Sequence, residues 1–409
     1  MGGVEAVTDT PSPSRARSLV PLFSVSLLTG VGYALAGPFM SVFLIKQLQA
    51  GPVAVGAFLL VSSLGSIAVS TVVGRVSDSR AIRRLVLLTA SSTGAVAWLL
   101  FAFVREYWLL LVVSVTLMAI ASSQVPQVFA YARQVLDQTG STRAPLAMSG
   151  LRTVMSLSWV AGPPLGAVLM AGTGFTGLFG VTALFYVLAA AAIALWLPEP
   201  GVPEPASAEA AAEPPAARAE VLLASVAFVL LQGATSVGVA AMPLFVPEVL
   251  GGTTTDAGLV LGLCAALEIP LMLGFGALAV RHDQRRLVLL GGAVALAYYA
   301  VVLAAQATWQ VMAAQVLHAV VISAVMGVGI SYFQNLAPDR PGYATTLHSN
   351  TFKISAMLSG PLLGVAQQFG YRSAYGIGLV MSVLGLALLL AARPRRQAGY
   401  ERWQTRNRE

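Results

Sequence analysis

The chain has 409 residues, of which 57% are hydrophobic and 10% are charged, and its formal net charge is +7. Soluble domains contain about 25% charged and about 45–50% apolar residues, so this composition excludes a water-soluble globular fold. A lipid bilayer is the solvent that tolerates so much Leu, Val and Ala. The basic residues stand beside apolar stretches, where orientation in a membrane accounts for them, so they do not indicate a nucleic-acid partner.

Apolar stretches of about 20 residues, long enough to cross a hydrocarbon core of about 30 Å, recur along the chain. They predict an all-α membrane protein with twelve transmembrane helices, at 20–45, 54–74, 85–104, 107–131, 147–171, 175–197, 221–247, 257–280, 287–306, 309–334, 344–368 and 372–392. A signal peptide is the alternative for the first stretch, because Arg15 and Arg17 precede it. The uncharged run continues to Ile45, which favours a spanning helix.

Basic residues are distributed unequally between the two sides of the predicted membrane protein. If the N-terminus is cytoplasmic, the segments outside the membrane hold only Lys46, Arg105 and Arg372, and the other basic loop and tail residues are inside. The positive-inside rule therefore predicts that both termini lie in the cytoplasm.

A polar segment rich in Pro, Ala and Glu, residues 198–219, interrupts the apolar pattern and is typical of a linker. It divides the chain into a cytoplasmic tail (1–18), a six-helix bundle (19–197), the linker, a second six-helix bundle (220–392) and a basic cytoplasmic tail (393–409). The two bundles predict a protein built from two related halves.

Short strings recur at matching places in the two halves. Gly162-Pro163-Pro164-Leu165-Gly166 in the fifth span recurs as Gly360-Pro361-Leu362-Leu363-Gly364 in the eleventh, and Arg83-Arg84 recurs as Arg285-Arg286. Internal duplication is typical of transporters, whose substrate site lies near the membrane midplane between the repeats. The pattern therefore favours a transporter.

The loop between the second and third spans carries a charged motif. It contains Gly74, Asp78, Arg83 and Arg84, and it resembles the loop signature of the major facilitator superfamily, although Ser79 replaces an arginine and one residue is inserted. The corresponding loop of the second half has Val280 at the acidic position. The resemblance implies the major facilitator fold and a latch for one conformation of an alternating-access cycle, formed by Gly74, Asp78, Arg83, Arg84, Arg285 and Arg286.

Longer strings resemble the bacterial sugar efflux transporter family. They include Pro126-Gln127-Val128-Phe129, Leu267-Glu268-Ile269-Pro270, and Phe333-Gln334-Asn335-Leu336. This resemblance implies export of sugars, glycosides or related compounds across the bacterial inner membrane, driven by protons. The chain departs from the family at Ala241, where an acid is expected, and at His318 and Lys353, where uncharged residues are expected.

Glu268 is the acidic residue in the middle of a predicted span. A charge at that depth is costly unless it is paired, neutralised or hydrated, so it marks a functional site, here one that loads and releases a proton. Arg152 lies at a similar depth in the fifth span and is the expected partner. The alternatives are a static ion pair for Glu268 and a side chain that extends to the membrane surface for Arg152.

Polar and aromatic residues in the spans are candidates for contact with the substrate. Amides both donate and accept hydrogen bonds, as sugar hydroxyls do, and an indole ring can stack on a sugar face. The predicted cavity residues are Gln127, Trp159, Gln334, Asn350 and Lys353. Hydrogen bonding between helices is the alternative for the amides, packing for Trp159, and a static ion pair for Lys353.

Glycine and proline within the spans predict close helix packing and local bending. The residues concerned are Gly162, Pro163, Pro270, Gly360 and Pro361. The match of the fifth-span segment to an exporter motif of the superfamily is partial, because Ser158 stands in place of a glycine.

No catalytic, cofactor or metal site is expected. His282, His318 and His348 lack metal-ligand spacing, and the single cysteine, Cys264, lies in an apolar run. The expected partners are a small-molecule substrate, protons and the lipid bilayer, and the expected state is a monomer. The leading hypothesis is a proton-coupled sugar exporter. A drug or secondary-metabolite exporter, and more remotely an intramembrane enzyme or sensor, are the alternatives.

Overall fold

The computed structural model describes residues 19–138, 144–200, 215–336 and 341–392. Within these ranges the chain is almost entirely helical and contains no β-strand. The predicted tails, 1–18 and 393–409, and most of the linker lie outside the described residues. The helix that follows the linker begins at Pro215, before the predicted linker end at residue 219.

The first half contains six long helices. Their bounds are Leu19–Ala36, continued by Gly37–Phe39 and Met40–Lys46 (α1); Pro52–Ser79 (α2); Arg83–Phe103 (α3); Tyr107–Val113, Ser114–Met118, Ala119–Ala121 and Gln124–Gln138 (α4); and Ala144–Trp196 (α5 and α6). The last of these is interrupted at Gly174, whose φ of +66° is non-helical, so α5 precedes Gly174 and α6 follows it.

The second half repeats this arrangement. Its helices are Pro215–Leu250 (α7); Thr254–Arg281 (α8); Gln284–Ala304 (α9); Thr308–Ile322, Ser323–Gly327 and Gly329–Leu336 (α10); Pro341–Phe369 (α11); and Arg372–Ala391 (α12). Both α4 and α10 contain a five-residue π-helical segment, a feature that occurs often at functional sites. Each of the twelve predicted spans falls on one of these helices.

The helices are long and apolar enough to cross a bilayer in ten stretches of the described chain. One stretch, Thr153–Trp196, has 44 residues, about twice the length needed for one crossing, because it holds both α5 and α6. Helix α11 is not among the ten, although it has 29 residues. It carries Lys353, Asn350 and several hydroxyl side chains, so it is the most polar of the long helices.

The helix ends lie at two opposite faces of the bundle, here named the terminal face and the far face. The terminal face holds the start of α1 at Leu19 and the end of α12 at Ala391, and the far face holds the turns between α1 and α2 and between α7 and α8. At the far face α8 begins with a capping box, in which the Asp256 N–H donates to Thr253 Oγ1 (3.1 Å) and the Thr253 N–H donates to Asp256 Oδ2 (2.7 Å). Trp108 and Trp309 are exposed at the corresponding starts of α4 and α10, as aromatic residues are at membrane interfaces.

The arginine pairs reveal the register of the internal repeat. Arg84 Nη2 donates to the Ala194 carbonyl (2.8 Å) at the end of α6, and Arg285 Nη2 donates to the Leu389 carbonyl (2.8 Å) at the end of α12. Each arginine is the second residue of its helix. Arg84 therefore corresponds to Arg285, which shifts the sequence-based pairing of Arg83-Arg84 with Arg285-Arg286 by one residue.

Candidate functional site

The two halves meet at the far face. Between α1 and α7, Ser41 Oγ donates to the Ala240 carbonyl (2.8 Å), and Lys46 Nζ lies 2.5 Å from Glu248 Oε1. Between the end of α11 and the loop before α2, Gln367 Nε2 donates to the Ala50 carbonyl (3.2 Å). These contacts seal the surface between the halves on this side.

Glycines bring two further helix pairs into backbone contact near the far face. A Cβ at Gly364 of α11 would lie 2.5 Å from the Pro52 carbonyl oxygen of α2. A Cβ at Gly258 of α8 would lie 2.7 Å from the Pro163 carbonyl oxygen of α5. A larger side chain at either position would force the halves apart, so glycine is required for this closed far face.

The same helix faces are separated at the terminal face. Gly74 lies 18 residues, or about five turns, after Gly56 in α2, and Gly276 lies 18 residues after Gly258 in α8. Each later glycine is therefore on the same side of its helix as the earlier one. A Cβ at Gly74 or at Gly276 would have no neighbouring atom within 4 Å. The halves thus enclose a cleft that is closed at the far face and opens toward the terminal face.

Glu268 lies on the side of α8 that faces away from lipid. The exposed residues Leu259, Leu263 and Leu273 mark the opposite side of the helix, and Glu268 is half-buried. Its carbonyl accepts from Ser323 Oγ (3.5 Å) in the π-helical segment of α10. One turn earlier, Cys264 Sγ lies 3.5 Å from His318 Nδ1 of α10. Glu268 therefore sits beside α10, toward the interior of the molecule.

Trp159 lies on the face of α5 opposite the exposed residues Leu157 and Leu165. Its ring is edge-on to that of Tyr33 of α1, with 6.2 Å between the centroids, and the Tyr33 side chain is half exposed. Position 152 is two turns from Trp159 on the same face. The Arg152 side chain lies outside the described residues, so its pairing with Glu268 stays a prediction.

Helix α11 carries Lys353 and Asn350, and both side chains are exposed. Lys353 lies about two turns before Gly360 on the same face of α11, and this face contacts α2 nearer the far face. Among the residues that the structure describes, no acid lies within ion-pair distance of it. Glu268, Trp159 and Lys353 thus lie on three helices that also carry the contacts between the halves.

Comparison with known proteins identifies the family. The profile of the Major Facilitator Superfamily matches residues 22–307 and 225–406. The chain belongs to the major facilitator superfamily.

Relatives within the superfamily are similar over nearly the whole chain. Sugar efflux transporter A of Dickeya chrysanthemi is 35% identical over 360 residues, which cover 87% of this chain and 91% of the relative. Sugar efflux transporter C of Escherichia coli is 32% identical over 392 residues, which cover 94% and 98%. The resemblance to the sugar efflux transporter family is thereby confirmed, and the chain is a multi-pass membrane transporter, not an enzyme.

Solved structures share the fold at low sequence identity. The nucleoside transporter NupG superposes with a TM-score of 0.72 at 12% identity, covering 91% of this chain and 98% of that one. A bacterial homologue of the human lysosomal transporter Spinster, in an inward-facing and unoccupied conformation, gives a TM-score of 0.68 at 13% identity, covering 94% and 96%. They confirm the major facilitator fold.

The superfamily loop residues stabilise each half internally in this conformation. Arg83 is buried, and its Nη1 donates to Gln127 Oε1 (3.5 Å), whereas Arg286 is exposed. Arg84 and Arg285 bind the ends of α6 and α12. The Asp78 side chain lies outside the described residues, and the latch stays a prediction.

The predicted amides are distributed over different environments. Gln127 is buried within the first half, where its Nε2 donates to Ser77 Oγ (2.9 Å), so it does not line the open cleft in this conformation. Gln334 is half-buried on α10, and the neighbouring Asn335 donates to Gln284 Oε1. Asn350 is the predicted amide with an exposed side chain.

The Gly-Pro segments lie at the contact between the halves. Pro163 and Pro164 of α5 face Gly258 and Gly262 of α8, and Pro361 of α11 faces Gly56 of α2. Helical backbone continues from Ala144 to Trp196 except at Gly174. Bending at Gly162, Pro163, Pro270, Gly360 and Pro361 stays a prediction, and close packing between the halves is the role that the contacts support.

Sequence reasoning missed the residues that close the far face. Gly258 and Gly262 are spaced four apart, which places them on one helix face and was a readable packing signal. Nothing in the sequence indicated that Lys46 would pair with Glu248, because the partners are 202 positions apart and in different halves.

Proposed function

We propose that this chain exports sugars or sugar-like compounds across the bacterial inner membrane by proton antiport with alternating access. The observation that carries the proposal is the 32–35% identity to proteins named sugar efflux transporters over nearly their full length. Because one chain contributes both halves of the cleft, we expect a monomer to be sufficient.

The shape of the cleft is consistent with export. The positive-inside rule assigns the terminal face to the cytoplasm, so the open cleft would accept a substrate from the cytoplasm. Release outside then requires the far-face contacts to separate and the faces around Gly74 and Gly276 to close. The two bundles would rock about the cleft in this transition, as in other transporters built from repeats.

Proton coupling is assigned to Glu268, with Arg152 as its expected partner. A half-buried carboxyl beside the cleft can exchange a proton with the open side, and an ionised carboxylate is costly there unless a cation or water stabilises it. After the sugar leaves on the outside, protonation of Glu268 there would weaken its attraction to Arg152 and favour return to the conformation open to the cytoplasm, where the proton is released. This step links proton entry to sugar exit.

The test is accumulation of radiolabelled lactose and a panel of glycosides in inverted membrane vesicles, with and without an imposed pH gradient. Accumulation that depends on the gradient supports proton–sugar antiport. Sugar flux that is independent of the gradient supports sugar transport but contradicts proton coupling. Absence of flux for every sugar, in a protein that is monodisperse in detergent, favours the drug or metabolite exporter.

A further inference from the structure

Lys353 is a cation near mid-depth of the protein without a described counter-ion. The chain has two lysines, and the other, Lys46, pairs with Glu248 at the far face. Lys353 lies 12 positions after Pro341, close to the middle of α11 (Pro341–Phe369). A cation at that depth is costly unless it faces water or an anion, so its position indicates a functional contact.

The face of α11 that bears Lys353 is turned toward α2. Gly360 and Gly364 contact α2 at Leu59 and Pro52, and Lys353 follows the same face about two turns nearer the terminal face. Gly360 and Gly364 are buried against α2, whereas the Lys353 side chain on the same face is exposed. Lys353 therefore lies on the wall of the cleft.

The opposite wall is neutral and carries hydroxyl groups. Ser63 and Ser70 follow Gly56 by 7 and 14 residues, which places them on the face of α2 that meets α11. Ser63 Oγ donates to the Leu59 carbonyl (2.8 Å) and Ser70 Oγ to the Ile67 carbonyl (3.2 Å), so their lone pairs remain able to accept hydrogen bonds. Along α2 the first charged residue after Pro52 is Arg75.

We propose that the cleft between α2 and α11 binds the carboxylate of an acidic sugar, a uronic acid or its glycoside, and that Lys353 determines this specificity. The ammonium group would bind the carboxylate, and the serine oxygens across the cleft would accept hydrogen bonds from the sugar hydroxyls. A carboxylate matches the single charge of Lys353, whereas a phosphate, with about two negative charges, would leave one uncompensated. The proposal rests on sugar export and narrows its substrate class.

The test compares two ligands that differ only at the carboxylate: p-nitrophenyl β-D-glucuronide and p-nitrophenyl β-D-glucoside. Their binding to the purified full-length protein is measured by equilibrium dialysis, and their transport is measured in inverted vesicles. A charged hydrogen bond is expected to make the glucuronide bind about 10- to 100-fold more tightly.

Three variants test whether Lys353 causes the preference for the glucuronide. Lys353→Gln is expected to abolish the preference for the glucuronide and to keep binding of the glucoside. Lys353→Arg retains the charge and is expected to retain most of the preference. Lys46→Gln removes the other lysine, far from the cleft wall, and is expected to leave the preference unchanged.

Several results would overturn the proposal. Equal binding of the two ligands by the unaltered protein, or a preference that persists in Lys353→Gln, refutes the carboxylate site even when the glucoside is still exported. Absence of transport for both ligands, and for lactose and the glycoside panel as well, refutes the proposed function. In that case, dialysis decides the carboxylate site separately, because glucuronide binding that is lost in Lys353→Gln supports it and no binding refutes it.

Discussion

Both halves place an arginine over an aromatic cluster at the far face, but they build the cluster differently. In the first half, Arg105 lies 5.5 Å from the centre of the Phe43 ring, which packs on Phe101, Phe175 and Phe179. In the second half, Arg372 lies 5.6 Å from the centre of the Phe245 ring, which packs on Tyr375.

The aromatic core of the second half continues with polar rings. Tyr298 packs on Tyr299, with 4.9 Å between centroids, and stacks on His318, with 4.3 Å between centroids. In the main hydrophobic core, the first half buries phenylalanines and Trp98 with one tyrosine, Tyr186, whereas the second half buries several tyrosines and, beside them, an imidazole. Glu268, Lys353 and Cys264 also belong to the second half. The aromatic core of the second half is therefore the more polar, and the second half also holds most of the candidate titratable residues.

The largest expected effect comes from removing the carboxyl group of Glu268 in the second half. Glu268→Gln is expected to abolish pH-gradient-driven accumulation in inverted vesicles, because the amide cannot take up a proton, while exchange of labelled for unlabelled sugar continues. Glu106→Gln, an exposed acid at the start of α4, serves as the control and is expected to behave as the unaltered protein. If Glu268→Gln still accumulates sugar against a gradient, the titratable role assigned to the second half is wrong.

The next effect concerns the glycine contacts between the halves. Gly364→Val places methyl groups against the Pro52 carbonyl, and overpacking of this kind costs about 1–3 kcal/mol. The closed far face should therefore open about 5- to 150-fold more often. Maleimide labelling of Ser41→Cys in a Cys264→Ala background measures the opening, because Ser41 is buried in the closed far face.

Gly74→Val is the matched control for that experiment. Its Cβ position is empty in this conformation, so no increase in labelling at position 41 is expected. An equal increase in both variants would mean that the labelling reports general loosening rather than the contact at Gly364.

A smaller effect tests whether Arg105 and Arg372 are equivalent. Arg105 donates to the Ala102 carbonyl (2.8 Å) at the end of α3, and Arg372 donates to the Ala305 carbonyl (2.8 Å) after α9. Replacing either with alanine should lower stability by about 1–2 kcal/mol, measured by thermal unfolding in detergent. Arg286→Ala, at an exposed position, should change it little. Unequal losses of stability in Arg105→Ala and Arg372→Ala would show that the two arginines are not equivalent.

The smallest effect is expected for the ion pair that crosses the far face. Lys46 and Glu248 have side-chain exposures of 54% and 34%, so the pair should contribute about 0.2–1 kcal/mol. Lys46→Glu should raise labelling of Ser41→Cys by up to about fivefold, and adding Glu248→Lys should restore the original rate. A double variant that labels as fast as the single one would argue against a direct ion pair.

The sequence by itself determined the membrane environment and spans that fall on the helices of the described residues. These properties depend on local composition and on runs of about 20 apolar residues, which are readable without knowing which helices touch. It also singled out Glu268 and Lys353, because a charged residue within an apolar run can be recognised from the sequence without knowledge of the fold. The pairing of Arg83-Arg84 with Arg285-Arg286 was wrong by one residue, because short repeated strings align equally well in neighbouring registers.

Only the tertiary structure decided which helix faces meet. The contacts of Gly364 with Pro52, and of Lys46 with Glu248, join residues that are far apart in the chain. Gln127 was expected in the cleft, but it is buried beside Ser77, because its direction depends on how α4 packs on α2. The structure likewise decided that the cleft is closed at the far face. The conformation depends on contacts between the halves, and no local pattern in the sequence encodes them.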